Sequence, residues 1–113
     1  MPPRGWKMRI EDILNAIART QEYTRGMTFD AFCQDHKTID AVIRNLTVIG
    51  EAAANIPDDV ADRHPEIPWR QMRDFRNVVV HIYFGVDLKV VWDTIQTDLP
   101  PLIETLRSLS DNA

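Results

Sequence analysis

The stretch KTIDAVIRNLTVIGEAAANI, residues 37–56, constrains the fold most. Its apolar residues Ile39, Val42, Ile43, Leu46, Val48, Ile49, Ala53 and Ile56 recur at helical spacing, without the strict alternation of a half-buried strand. It predicts a long helix with one side against a core. Pro57 stops that helix, because proline offers no backbone N–H and crowds the preceding turn. Near the end, Gly50, Ala52, Ala53 and Ala54 carry so little side chain that a neighbouring helix can come close.

The flanking segments read in the same way. MRIEDILNAIARTQEY, residues 8–23, places Ile10, Ile13, Leu14, Ile17 and Ala18 in one apolar stripe that Gly26 ends. Thr28 caps a short helix over TFDAF. The proline-bounded PDDVADRHPEIP reads as a stiff loop with one helical turn. Pro68 then lies at the first turn of PWRQMRDFRNVVVHIYF, where proline is tolerated. Met72, Phe75, Val78, Val79 and Ile82 supply the apolar face of that segment. The run Val78–Val80 alone suggests a strand, but its helical surroundings and the lack of a second convincing strand favour helix. Gly85 interrupts, and Asp87 caps a last helix with Leu88, Val91, Trp92 and Ile95 inward. Pro100 and Pro101 are expected to kink or break it before LIETLRSL. The expected fold is an all-α bundle of four to five helices in one domain, residues 8–113. Residues 1–7 read as an N-terminal extension, since periodicity starts near Met8, itself a candidate original start.

Composition narrows the function classes. The 113 residues suffice for one core. No run is long enough to span a bilayer, and MPPRGWKMRIEDIL lacks the basic-then-apolar pattern of a signal peptide, so a cytoplasmic location is expected. The one cysteine, Cys33, cannot staple a fold, and no Cys/His cluster has zinc spacing. Cys33 and His36 can be imagined as metal ligands or as a nucleophile pair, but a small, buried or half-buried thiol is the plainer reading. Neither metal nor cofactor is called for. The net charge of −4 argues against a general nucleic-acid coat protein. Yet Arg63, Arg70, Arg73 and Arg76 face only Glu66 and Asp74 within residues 63–77, a local excess of two positive charges. A basic patch on an acidic body suits occasional contact with a polyanion.

Within that region RNVVVHIYF, residues 76–84, sets Arg76, Asn77, His81 and Tyr83 in an otherwise apolar segment. In a straight α-helix Arg76 and Tyr83 are nearly in line, Asn77 and His81 share a face, and Arg76 and His81 differ by roughly 140°. One helix thus makes a poor closed site. Two copies packed about a two-fold axis bring Arg76 of one to His81 of the other. Histidine exchanges protons near neutral pH, and arginine holds phosphate oxygens in a fork, so the set suits phosphodiester chemistry without a metal. The spacing alone equally allows a plain helix, with Arg76 paired to Asp74 or Asp87 and His81 at the negative helix end. Glu51 reads either as an exposed helix residue or as an anchor for Arg76 or Asn77. His64 reads as solvent-exposed, Trp69 and Trp92 as core or dimer contacts, and Arg70 and Arg73 as a positive rim.

Three segments in order, NLTVIGEAAANIP, PWRQMRDFRNVVVHIYFGVD and VWDTIQTDLPPL, resemble the HepT-like group of the HEPN superfamily from about Met8 to Leu106. The R-x4-H-x-Y pattern lies in the middle segment. The resemblance implies a two-fold symmetric HEPN-type homodimer and a metal-independent endoribonuclease toxin of a toxin–antitoxin pair. It implies catalytic Arg76 and His81, with Asn77 supporting; beside them, Glu51 is a candidate supporting residue and Arg70 and Arg73 a candidate RNA-binding rim on the reading of the residues themselves. It implies that a minimal nucleotidyltransferase antitoxin attaches AMP to Tyr83. The alternative within the same fold is a non-catalytic interaction module that partners a nucleotidyltransferase without cutting RNA.

Overall fold

The computed structural model describes residues 5–77 and 88–111. All regular structure among them is helical. Helix α1, Trp6–Thr24, begins two residues before Met8, and Trp6 packs in part against the core. Ile10, Ile13 and Ile17 are fully buried as expected, but Ala16, not Ala18, completes their face. Ala18 lies roughly 140° around the helix from Ile13 and faces out. Thr20 and Thr24 extend the buried stripe, because each hydroxyl donates to the carbonyl four residues earlier, at 2.8 and 2.9 Å.

Helix α2, Phe29–Gln34, starts under the expected cap, with Ala31 N–H donating to Thr28 Oγ1 at 3.1 Å. A single residue, Asp35, separates it from α3, His36–Ala54. Asp35 Oδ1 accepts the Thr38 N–H at 3.0 Å, a cap that fixes the start of α3 ahead of the Lys37 expected from periodicity. Helix α3 is the structural axis. Val42, Leu46 and Ile49 are fully buried along it; α1 packs on it most extensively, and α2, α5 and the turn after α5 also pack on it.

The loop after Pro57 contains the expected turn as α4, Asp58–Arg63, with two aspartates at its positive end and an arginine at its negative end. Helix α5, Trp69–Asp74, follows Pro68. The expected continuous helix through this region does not keep α geometry: Phe75–Asn77 form a 3₁₀ turn, with Phe75 N–H bonded to the Met72 and Arg73 carbonyls. The chain tightens there because it meets α3 at close range. The Val78–Val80 run, His81, Tyr83, Gly85 and Asp87 lie outside the described residues.

Helix α6, Leu88–Asp93, widens into a π turn over Thr94–Asp98 before α7, Pro100–Asp111. A continuous α-helix would need N–H groups from Pro100 and Pro101 for the carbonyls four residues back, and proline has none. The Leu99 N–H instead reaches back five residues to Thr94 O at 3.0 Å, and the prolines open α7, where a missing N–H goes unused. The expected break is therefore present. The four to five helices expected resolve into seven α-helical segments among the described residues, four of them, α2, α4, α5 and α6, only six residues long.

The aromatic rings of Phe29 and Phe32 meet Trp92 at 6.2 and 5.2 Å, joining α2 to α6. Helix α7 closes on α1, where Ser110 Oγ donates to Glu11 Oε1 at 2.8 Å. None of the described helices is long and apolar enough to cross a membrane.

Candidate active site

The polar residues of the basic segment owe their exposure to what lies behind them. Trp69, Met72 and Phe75 recur at intervals of three and point into the core. The Trp69 indole N–H donates to the His64 carbonyl at 3.0 Å, which anchors the start of α5. With those three residues buried, Arg70, Arg73, Arg76 and Asn77 are left outside. The Arg73 guanidinium Nε turns back to the Trp69 carbonyl at 3.4 Å.

Arg76 sits where the 3₁₀ turn touches α3. A Cβ placed on Gly50 would lie 2.5 Å from the Arg76 amide nitrogen, 2.7 Å from its Cβ and 3.0 Å from its Cα. Real side chains do not approach so closely, so the contact exists only because residue 50 has no side chain. The next residue, Glu51, brings Oε1 to 3.8 Å from Arg76 Nη1. That is an ion pair and too long for a hydrogen bond. Both side chains are substantially exposed, at 44% and 58%, so the guanidinium keeps open donor positions toward solvent.

The structure thus brings Arg76 and Glu51 together and leaves Asn77 exposed next to Arg76. Among the described residues Glu51, rather than Asp74, is the carboxylate at the Arg76 guanidinium; Asp87 lies outside them. Arg70 and Arg73 lie exposed on the preceding helix. His81 and Tyr83 fall outside the described residues. Trp69 is core, and Trp92 is half-buried in its aromatic cluster. His64 is half-buried, with Nδ1 3.3 Å from Glu66 Oε1. Cys33 is half-buried in α2 and His36 is exposed. No three potential metal ligands converge among the described residues. The seat that Gly50 provides was visible in sequence only as a small residue; its partner was not. A lone glycine inside an otherwise apolar helical pattern is the signal for such a contact.

A groove of about 760 Å³ opens elsewhere, between the start of α1, the loop after α4 and α7. Lys7 and Arg63 line it, and so do Glu66 and Glu104. Balanced charge suits a polyanion less than the arginine row on α5 does, and neither Arg76 nor Asn77 reaches that groove.

A family model for HepT-like ribonucleases matches residues 13–109, a span that includes α3, α5 and the turn bearing Arg76. The chain belongs to the HepT-like family. A probable ribonuclease HepT of Thermococcus cleftensis is 50% identical over 99 residues, covering 88% of this chain and 90% of that protein. A putative RNase of Methanocaldococcus jannaschii is 37% identical over 109 residues, covering 96% and 90%. A putative RNase of Caldanaerobacter subterraneus is 31% identical over 100 residues, covering 88% and 89%. No solved structure matches the chain significantly. In this HepT-like chain, both parts of the Arg76 seat, Gly50 and Glu51, lie within the matched span.

Proposed function

We propose that this HepT-like protein is a metal-independent endoribonuclease, the toxin of a toxin–antitoxin pair, and that two copies build its active cleft. The observation that carries the reading is the placement of Arg76: a half-exposed guanidinium on a backbone seat, in a row of exposed arginines. The ribonuclease names of its relatives point the same way.

In the proposed reaction a ribose 2′-oxygen attacks the adjacent phosphorus. The bond to the 5′-oxygen of the next nucleotide breaks, leaving a 2′,3′-cyclic phosphate. One His81 takes the 2′-hydroxyl proton, and a second proton reaches the departing 5′-oxygen from an imidazolium. Arg76 holds the non-bridging oxygens as charge builds on them. Asn77 supports that geometry, Glu51 stands beside Arg76 before RNA arrives, and Arg70 and Arg73 hold flanking phosphates. A nucleotidyltransferase antitoxin silences the enzyme by transferring AMP from ATP to the Tyr83 hydroxyl oxygen, with loss of the phenolic proton and release of pyrophosphate. The added phosphate competes for the arginine and fills the cleft.

The test is cleavage of RNA in the presence of a chelator by wild type and His81→Ala, both sized as dimers. Wild type should cut RNA but not a 2′-deoxy-substituted control, and His81→Ala should cut neither. Cleavage that survives in His81→Ala, or extends to the deoxy substrate, would remove the mechanism. A wild-type dimer that binds the nucleotidyltransferase and leaves RNA intact would establish the interaction module instead.

A further inference from the structure

We propose that Gly50 and Glu51 of α3 form a preset receptor for the phosphate that Arg76 binds. Gly50 is the positioning residue that fixes the Arg76 backbone, and Glu51 is a loosely held anion that the RNA phosphate displaces. The inference rests on the reading of Arg76 as the phosphate-binding group. It adds to that reading how the group is held and what occupies its place beforehand.

Two separate observations carry it. The first is the contact at Gly50, whose missing Cβ would fall on three Arg76 atoms, two of them backbone. Backbone atoms cannot swing aside as the tip of a side chain can. Any residue larger than glycine at position 50 must therefore push the 3₁₀ turn off α3 and carry the guanidinium with it. Ile49, just before Gly50, is fully buried, so α3 is poorly placed to retreat.

The second is the Glu51 ion pair. A carboxylate meant to lock an arginine takes two parallel hydrogen bonds near 2.8 Å. Glu51 instead stands 3.8 Å away on a single nitrogen, with both partners open to water. Such a pair is weak and easily exchanged. It marks the side of the guanidinium where an anion sits. A phosphodiester can take that side with shorter, charge-assisted bonds. Glu51 then moves into solvent, at little cost for an exposed side chain.

The two halves make opposite predictions, which separates them from a merely structural role. Gly50→Ala should lower kcat about a hundredfold, with KM little changed, because misplacing a charge-stabilising group by about 1 Å has that effect. Ile13→Val, a substitution in the buried face of α1, should keep kcat at any temperature where both variants are folded. Glu51→Gln should tighten binding of a fluorescent 2′-O-methyl RNA up to about fivefold, the factor expected from one exposed ion pair. Glu22→Gln, which removes an exposed charge near the end of α1, should tighten it less. In an Arg76→Ala background the extra gain from Glu51→Gln should vanish.

The proposal is overturned if folded Gly50→Ala keeps the wild-type kcat. It is equally overturned if Glu51→Gln only matches Glu22→Gln, or keeps its full effect without Arg76. Should Gly50→Ala fail to fold, the Glu51–Arg76 cycle decides alone. Wild type that binds the RNA probe but never cleaves RNA refutes the ribonuclease reading, while the same binding cycle still tests the receptor.

Discussion

Gly50 and Arg76 touch backbone to backbone, so that even one methyl group at position 50 would overlap the Arg76 amide nitrogen and Cβ. Two opposing effects decide what Gly50→Ala does to stability. Alanine favours the interior of a helix over glycine by about 1 kcal/mol. Overpacking a close contact costs about 1–3 kcal/mol, toward the upper end when backbone must move. The clash should win, and the variant should unfold at lower urea with an unchanged slope. A midpoint at or above wild type would mean that the turn lifts off α3 without strain.

The same contact shows how far the sequence could be read. Helical spacing located α1 and α3, Thr28 announced the start of α2, and Pro100 and Pro101 announced the break before α7. Each of these is local: a periodic pattern, a capping hydroxyl or a missing N–H acts within one or two turns. The 3₁₀ turn at Phe75–Asn77 is not local, since it depends on what lies across from Arg76. The straight-helix relation of Arg76 to His81 and Tyr83 concerns partners outside the described residues. The sequence suggested that Glu51 could reach Arg76, and the packing brings its carboxylate to 3.8 Å from the guanidinium.

Phe32→Ala should be among the costly single substitutions. Helix α2 has only six residues and cannot hold itself by backbone bonds alone. Phe32 is its fully buried residue, and it joins α2 to α6 through the ring of Trp92. Truncating a buried phenylalanine costs about 3–5 kcal/mol. Denaturation should report that loss, and Trp92 should become more accessible to a fluorescence quencher. A loss below about 1 kcal/mol would show that α2 contributes little to the core.

Asp35 gives stability a defined pH dependence. Its carboxylate accepts the Thr38 N–H, which holds its pKa below the ordinary 3.8. A depressed folded-state pKa means that the contribution is complete above the unfolded value. It fades as pH falls through the folded value. Asparagine caps helices about as well as aspartate but carries no charge. Wild type should therefore melt higher than Asp35→Asn at neutral pH, and the two curves should converge in strong acid. A difference that stays constant across the acid range would remove Asp35 as its source.

Arg70 and Arg73 should act on RNA as charges and not as catalysts. Both are exposed on α5, next to the turn that bears Arg76. Each phosphate neutralised on a single strand contributes about 0.7 to the slope of log affinity against log salt. Arg70→Ala and Arg73→Ala should each flatten that slope by about this amount, leaving kcat at saturating RNA nearly unchanged. An unaltered slope would place the RNA path away from α5.

Arg76 should behave differently from that rim, and the difference lies in the shape of its charge. A guanidinium offers a planar fork to two phosphate oxygens, whereas an ammonium is a point charge. If Arg76 stabilises charge that develops only as phosphorus is attacked, Arg76→Ala should lower kcat about 100- to 1000-fold, as removing one preorganised donor does. Arg76→Lys should recover binding of uncleaved RNA much better than it recovers kcat. The flexible lysine restores the charge but not the fork, and Gly50 holds only the backbone beneath it. Single-turnover cleavage by the three proteins, with binding of a 2′-O-methyl RNA in parallel, separates the two quantities. Equal recovery of both by lysine would make Arg76 one more member of the positive rim.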